Sequence, residues 1–246
     1  MGFSEWERCE WSKLRARVVF IARHGRYHVA HDPKLNSLPM LRFENISKRF
    51  GKHVLFQGLH FTTGAGCVAL CDETGSGKSI LLGILAGEID ADKGEVWLGG
   101  HSLRSAPIEA KSALAYIPDD CMAYSGLTGR TYLDHVAASR NTVVGAQTLD
   151  LAHRFGLAPH LEKQFEQMSF GTRKKFFLTA TTLGAPAAII ADDPGSGLDV
   201  PARAVLADLF RQLAVDRAVF FSSSDPALVE ACQARTIDFA ELGYAA

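Results

Sequence analysis

From residue 41 onward the apolar positions come in short blocks whose spacing switches between strand-like and helix-like, with glycine or proline between them. Residues 41–46 and 54–61 read as strands around a turn at Phe50 and Gly51, and after Gly64 and Gly66 residues 67–71 read as a buried strand. An apolar helix is predicted over 80–86 and a further strand over 94–98, closed by Gly99 and Gly100. Over 128–168 the period becomes helical. Leu133, Val136 and Ala137 share one face, then Leu149, Ala152 and Phe155, with Gly156 and Pro159 as breakers. A helix from Gly171, a strand over 187–191, a helix from Pro201, a strand over 218–221 and a short final helix and strand complete the reading. Strands alternating with helices predict an α/β domain with a mainly parallel sheet. The helical stretch, at about 120–170, reads as an inserted subdomain.

The first 39 residues lack such order. Trp6, Trp11, Arg8, Arg15, Arg17, Arg23 and Arg26 follow neither period, so residues 1–39 are expected to be a poorly ordered extension or a non-native start ahead of a domain over 40–246, with Met40 as the alternative start. The apolar patch over 18–22 is too short for a signal-peptide core. His24, His28 and His31 lack the further ligands that a metal site needs.

Composition narrows the function classes. The 246 residues are 47% hydrophobic, enough for a sizeable core. With 26 basic residues against 27 acidic, the net charge of −1 gives no field for a polyanion, and no nucleic-acid partner is expected. No run approaches the roughly 18 consecutive apolar residues of a membrane-spanning helix, so membrane contact would need a partner. Five cysteines, Cys9, Cys67, Cys71, Cys121 and Cys232, form no C-x-x-C pair, which fits a reducing cytoplasm.

The candidate chemistry begins at Asp72-Glu73-Thr74-Gly75-Ser76-Gly77-Lys78-Ser79, followed by Ile80. This is a phosphate-binding loop with Asp72 where the G-x-x-x-x-G-K-[ST] pattern wants glycine. Gly75 and Gly77 let backbone N–H groups close around phosphate oxygens, Lys78 can reach the β and γ phosphates, and the Ser79 hydroxyl can hold Mg²⁺. The loop lies between a predicted strand and a predicted helix, the setting this motif requires.

Further along, Met168-Ser169-Phe170-Gly171-Thr172 opens a basic helix, residues 187–194 read Ala-Ala-Ile-Ile-Ala-Asp-Asp-Pro, and Gly197-Leu198-Asp199 follows. In this order the motifs resemble the nucleotide-binding domain of ATP-binding cassette (ABC) proteins: a signature, a Walker B strand and a D-loop, the likeness covering about 41–239. The resemblance implies a phosphate-loop NTPase fold with an N-terminal antiparallel β-subdomain and an inserted helical subdomain. It implies an ATPase that takes ATP and Mg²⁺, with Phe50 stacking on adenine, Lys78 and Ser79 on phosphate and metal, and Asp192 assisting the metal. Asp119, in the Q-loop position, would join the metal and catalytic set, with Asp193 as the base. Ser169 and Gly171 would face the nucleotide of an opposite subunit in a head-to-tail homodimer or a heterodimer with another ABC subunit. The further implied partner is a membrane-spanning transporter subunit, which would place the chain in the cytoplasm, peripheral on the inner face of the cell membrane. Residues 125–133 look like the helical-subdomain entry of export-type cassettes.

The departures from the family pattern concentrate on catalysis. Asp193 replaces a glutamate, Ser224 the switch histidine and Asp119 the Q-loop glutamine, while Phe170 and Thr172 alter the signature. Phe170 is expected to bring bulk near the partner's nucleotide, Asp72 to set a negative charge near phosphates, and Arg173, Lys174 and Lys175 to form a solvated helix face. Phosphoryl transfer rests on positioning and electrostatics, so these changes predict slow hydrolysis with Mg-ATP binding retained. The alternative is a hydrolysis-poor regulatory module paired with a more complete ABC subunit. A soluble cassette of DNA repair fits poorly, because the interval from Lys78 to Ser169 is too short for a long coiled coil.

Overall fold

The structure is a computed structural model that describes residues 20–23, 26–29, 39–71, 75–121, 124 and 126–243. It divides into two units, Met1–Ser37 and Leu38–Ala246. In the first, β1 (Phe20–Arg23) pairs antiparallel with β2 (Arg26–Val29), Phe20 opposite Val29. The sequence reading assigns no element there. The overlooked signal is that only His24 and Gly25 separate the strands, a spacing suited to a tight hairpin.

In chain order the second unit runs β3 (Leu41–Phe50), β4 (His53–Thr63), β5 (Gly66–Leu70), α1 (Lys78–Leu85), β6 (Lys93–Leu98), β7 (His101–Ser102), α2 (Pro107–Ser112), β8 (Leu114–Ile117), α3 (Gly129–Ser139), α4 (Ala146–Arg154), α5 (Phe170–Ala180), β9 (Ala188–Ala191), α6 (Val200–Leu213), β10 (Ala218–Ser222), α7 (Pro226–Ala231), β11 (Arg235–Ile237) and α8 (Phe239–Leu242). Strands β4, β3, β6 and β7 make an antiparallel sheet in that order, and β11, β5, β10, β9 and β8 a parallel one. This is the α/β arrangement expected from the sequence. Helix α2 and strand β8 were not foreseen. The Leu-Ala-Tyr-Ile run of β8 is too short for periodicity to separate strand from helix.

A parallel sheet is covered on both faces, and the central strands β5 and β9 here are apolar at every position, while the edge strand β11 carries Arg235 and Thr236. Because successive side chains point to opposite faces, each strand feeds two cores. Ala115, Ile117, Ile189, Ala191, Val219 and Phe221 join a cluster with Tyr132, Phe165, Phe176 and Phe210 of the helical elements. Leu114, Ala188, Ile190, Ala218 and Phe220 join a second cluster with Phe43, Leu81 and Leu82 of the antiparallel sheet and α1. The expected helical subdomain corresponds to α3 and α4 and continues into α5. Its second helix buries Thr148, Leu151 and Ala152, whereas Leu149, expected on the apolar face, is exposed. The hydroxyls of Thr148 and Thr182 meet at 2.9 Å, so a satisfied polar residue takes the inward position.

Strand register decides where the chemistry gathers. Ile117 and Phe221 both lie opposite Ala191, and Ser222 lies opposite Leu70. The carboxyl ends of β5, β8, β9 and β10 therefore line up, and the residues that follow each strand emerge along one edge.

Close packing predicts one sharp sensitivity. A Cβ added at Gly129 would lie 2.2 Å from the Phe176 ring, while at Gly64 it would meet nothing within 4 Å. Gly129→Ala should destabilise the fold by about 1–3 kcal/mol in thermal or urea melting, with Gly64→Ala as the near-neutral control. Equal melting of the two variants would contradict this packing.

Candidate nucleotide site

At that edge a cavity of about 420 Å³ opens, lined by Phe50, Leu55, Gly75, Gly77, Lys78, Ser79, Ile80, Asp119, Asp192, Asp193, Ser222, Ser223 and Ser224. Its size falls within the roughly 300–1,000 Å³ common for small-molecule sites. Residues far apart in sequence meet here because they follow aligned strands. Asp119 follows β8, Asp192 and Asp193 follow β9, Ser223 and Ser224 follow β10, and the glycine loop joins β5 to α1.

Gly75 and Gly77 adopt φ of +87° and +98°, where L side chains are strained, and a Cβ on Gly77 would lie 2.9 Å from Leu55. Gly77 is also the N-cap of α1 and offers no side-chain cap to its first turn. Asp72, Glu73 and Thr74 lie outside the described residues. Ser76 lines a neighbouring groove with Leu55, Phe56 and Phe239 instead of this cavity. Phe50, at the end of β3, is 53% exposed, leaving much of its ring open to solvent.

Asp192 is buried, and its Oδ1 accepts a 2.6 Å hydrogen bond from the Ser222 hydroxyl. The same hydroxyl accepts the Asp193 backbone N–H at 2.9 Å. Ser222 thus fixes both carboxylate residues against β10, a role that sequence reading missed. Asp193 itself sits at φ +38°, a left-handed conformation that aspartate tolerates better than most residues. Burial is the main cause that pushes its carboxyl above the ordinary range; Lys174 opposes the shift, and the Asp119 and Asp192 charges add to it.

Lys174 corrects an expectation. Placed by its sequence on a solvated face, its side chain is instead fully buried, with Nζ donating to the Asp193 carbonyl at 2.8 Å and to Asp119 Oδ1 at 3.2 Å. Lys175 is also mostly covered and faces Asp199 at 3.6 Å, and Arg173 donates to the Met168 carbonyl at 2.8 Å. Phe170 also packs within the chain: its ring lies over Lys174 Nζ at 4.6 Å and against Gly197, where an added Cβ would meet it at 2.5 Å. The bulk is thus packed on its own D-loop. Neither Ser169 nor Gly171 lines the cavity. The Ser169 hydroxyl caps α5 by accepting the Thr172 N–H at 3.2 Å, and Gly171 approaches the Gly197 carbonyl so closely that a Cβ would sit 2.2 Å from its oxygen.

The oxygen donors of Ser79 and Asp192 suit a hard cation such as Mg²⁺, whereas Asp119, expected in the same set, is engaged by Lys174. Among the described residues no group of three His, Cys, Asp or Glu side chains could hold a metal unaided, so a cation here would lean on ligand phosphates. Of the cysteines, Cys67, Cys71, Cys121 and Cys232 are unpaired, and burial pushes the Cys67, Cys121 and Cys232 thiols up to about 12, keeping them unreactive. Among the described residues no helix is long and apolar enough to cross a membrane.

A glycine loop at a helix N-terminus, with hydroxyls and carboxylates converging from the carboxyl ends of parallel strands, defines a phosphate-loop nucleotide-binding domain. The family described as ABC transporter matches residues 56–196, and the chain belongs to that family as a nucleotide-binding domain. It is 27% identical over 184 residues to the linearmycin resistance ATP-binding protein LnrL of Bacillus subtilis, covering 71% of this chain and 57% of that protein. To the molybdate/tungstate import ATP-binding protein WtpC of Archaeoglobus fulgidus it is 26% identical, covering 67% of this chain and 68% of the relative. The chain thus spans little more than half the length of the first of these relatives. The fold is also that of a solved ATP-binding subunit of an ABC transporter, with a TM-score of 0.73 and 22% identity over 81% of this chain and 85% of the other.

Asp193 supplies a pH prediction. Its folded pKa is raised above the ordinary 3.8, so the folded state holds its proton more tightly and stability falls as pH rises from about 3.8 through the folded value. Without nucleotide or Mg²⁺, Asp193→Asn should gain melting temperature relative to the unsubstituted chain as pH rises through that window. A constant difference from pH 3.5 to 6 would contradict it.

Proposed function

We propose that this chain is the ATP-binding subunit of an ABC transporter, gripping Mg-ATP at a head-to-tail dimer interface, hydrolysing it slowly and driving a separate membrane-spanning subunit. The observation that carries the reading is the joint placement of Phe50, Gly75, Gly77, Lys78, Ser79, Asp192 and Asp193 around one cavity. In this reading the Phe50 ring stacks on the base, the glycine-loop N–H groups and the Lys78 ammonium hold the phosphates, and the Ser79 hydroxyl and Asp192 carboxylate hold Mg²⁺ or its waters. Mg²⁺, when bound, neutralises phosphate charge. Asp193 accepts the proton of the attacking water, its raised pKa bringing it nearer to a useful base. Ser169, exposed at the start of α5, together with the N–H groups there serves the nucleotide of the opposite subunit.

Slow hydrolysis follows from what the side chains lack. Aspartate retracts the base by one methylene relative to glutamate, and a misplacement of about 1 Å can cost on the order of 100-fold in rate. Ser224 lines the cavity where an imidazole would reach a γ-phosphate. Export is the direction favoured by the entry to α3, and a cytoplasmic position at the inner membrane face follows from the proposed partner. A second reading, a hydrolysis-poor module paired with a more complete ABC subunit, is favoured by Ser224 and by the commitment of Asp119 to Lys174.

The test is a Mg²⁺-dependent ATPase assay beside ATP binding, with Lys78→Ala as the blank. Turnover is expected above the blank, and Asp193→Glu combined with Ser224→His should raise it at least about tenfold. Turnover equal to the blank with binding intact would overturn hydrolysis and leave the regulatory reading. Absence of Mg-ATP binding would overturn both.

A further inference from the structure

Among the described residues, Lys174 is the one fully buried ammonium, and the nucleotide-binding reading leaves it without a role. Its three donors find an aromatic face and two oxygens: Phe170 at 4.6 Å, the Asp193 carbonyl at 2.8 Å and Asp119 Oδ1 at 3.2 Å. A buried charge is tolerated only with such partners, so its surroundings are set by its needs. The two oxygens lie 55 and 19 residues away along the chain, on the segment after β8 and the turn after β9, while Lys174 itself belongs to α5. One side chain therefore ties together two walls of the cavity and the helix that opens at Ser169.

The cavity wall carries three carboxylates, Asp119, Asp192 and Asp193. Against a polyphosphate these would repel, and Lys78 alone cannot offset them. We propose that Lys174 is the internal cation of this site: a positioning residue that neutralises the carboxylate wall from behind, holds the Asp193 backbone at its left-handed φ, and takes Asp119 as its counterion in place of the metal contact that the position of Asp119 in the sequence suggests. This rests on the reading of the cavity as a nucleotide site. The pairing also accounts for one departure from the family pattern, the aspartate in the Q-loop position. Lys174, fully buried, needs an acceptor here, whereas Asp119, 59% exposed, could be met by water, so the requirement runs from the lysine to the aspartate.

Calorimetric titration of the full chain with ATP, once in EDTA and once in excess Mg²⁺, tests this. Lys174→Gln should lower affinity for metal-free ATP by at least about tenfold, and for Mg-ATP by much less, since the added cation then covers the carboxylates. A purely structural role would lower both equally. The double variant Lys174→Gln/Asp119→Gln, which removes both charges, should return metal-free affinity to within about threefold of the unsubstituted chain. Equal losses in the two titrations, or a double variant no better than the single, would overturn the proposal. Should Lys174→Gln unfold, Asp119→Asn decides: the amide keeps an oxygen acceptor for Lys174 Nζ, and removing a negative charge from the wall should tighten metal-free ATP while leaving Mg-ATP undiminished. Weakened Mg-ATP in that variant would make Asp119 a metal ligand and overturn the assignment. Failure of the unsubstituted chain to bind ATP at all would instead overturn the nucleotide reading on which the proposal stands, whereas ATP binding abolished by Lys78→Ala alone keeps the two apart.

Discussion

A buried positive charge is costly unless every part of it is answered, and the ammonium of Lys174 is answered by groups drawn from three segments of this chain. That constraint fixes the geometry around it. The turn after β9 must bring the Asp193 carbonyl within reach, the segment after β8 must deliver Asp119, and Phe170 must turn its ring toward the ammonium. Gly171 and Gly197 allow this, because a Cβ at either would strike the other segment. The signature turn and the D-loop turn are thus packed against each other within one chain, with the lysine beneath.

The second fastening is the Ser222 hydroxyl, which donates to Asp192 and accepts from the Asp193 N–H. It joins β9 to β10 just beyond the last paired residues, where the ladder itself has ended. Between Ser222 and Lys174, Asp193 is held by its N–H on one side and its carbonyl on the other. A residue held at both main-chain groups can keep a positive φ that would otherwise be unfavourable. The carboxyl end of the parallel sheet is therefore preorganised before any ligand arrives, which is what electrostatic catalysis and phosphate binding both require.

Much of this was legible in the sequence. The α/β class followed from strand blocks alternating with helical ones, and the cavity gathers Lys78 and Ser79, named from the phosphate-loop pattern, with Phe50, Asp119, Asp192, Asp193 and Ser224, which the family resemblance implied. Gly75 and Gly77 could be anticipated because only glycine accepts those dihedrals cheaply. What escaped was set by tertiary contact. A basic triplet at 173–175 carries no sequence mark that its middle member turns inward, and the partner that draws it in lies 55 residues earlier. Leu149 gave up its expected inward place to Thr148 because the Thr182 hydroxyl satisfies the threonine. Strand β8 escaped because four apolar residues hold too little period to read.

The proposed function turns on a site that grips ATP well and cleaves it poorly, and partition of a single bound nucleotide measures that balance directly. Labelled Mg-ATP is bound to the chain, a large excess of unlabelled ATP is added, and the label is followed as intact ATP or as ADP. The account predicts that most of the label leaves uncleaved, because release outpaces a chemical step deprived of its histidine and with a shortened base. Conversion of most of the bound label to ADP before release would contradict it.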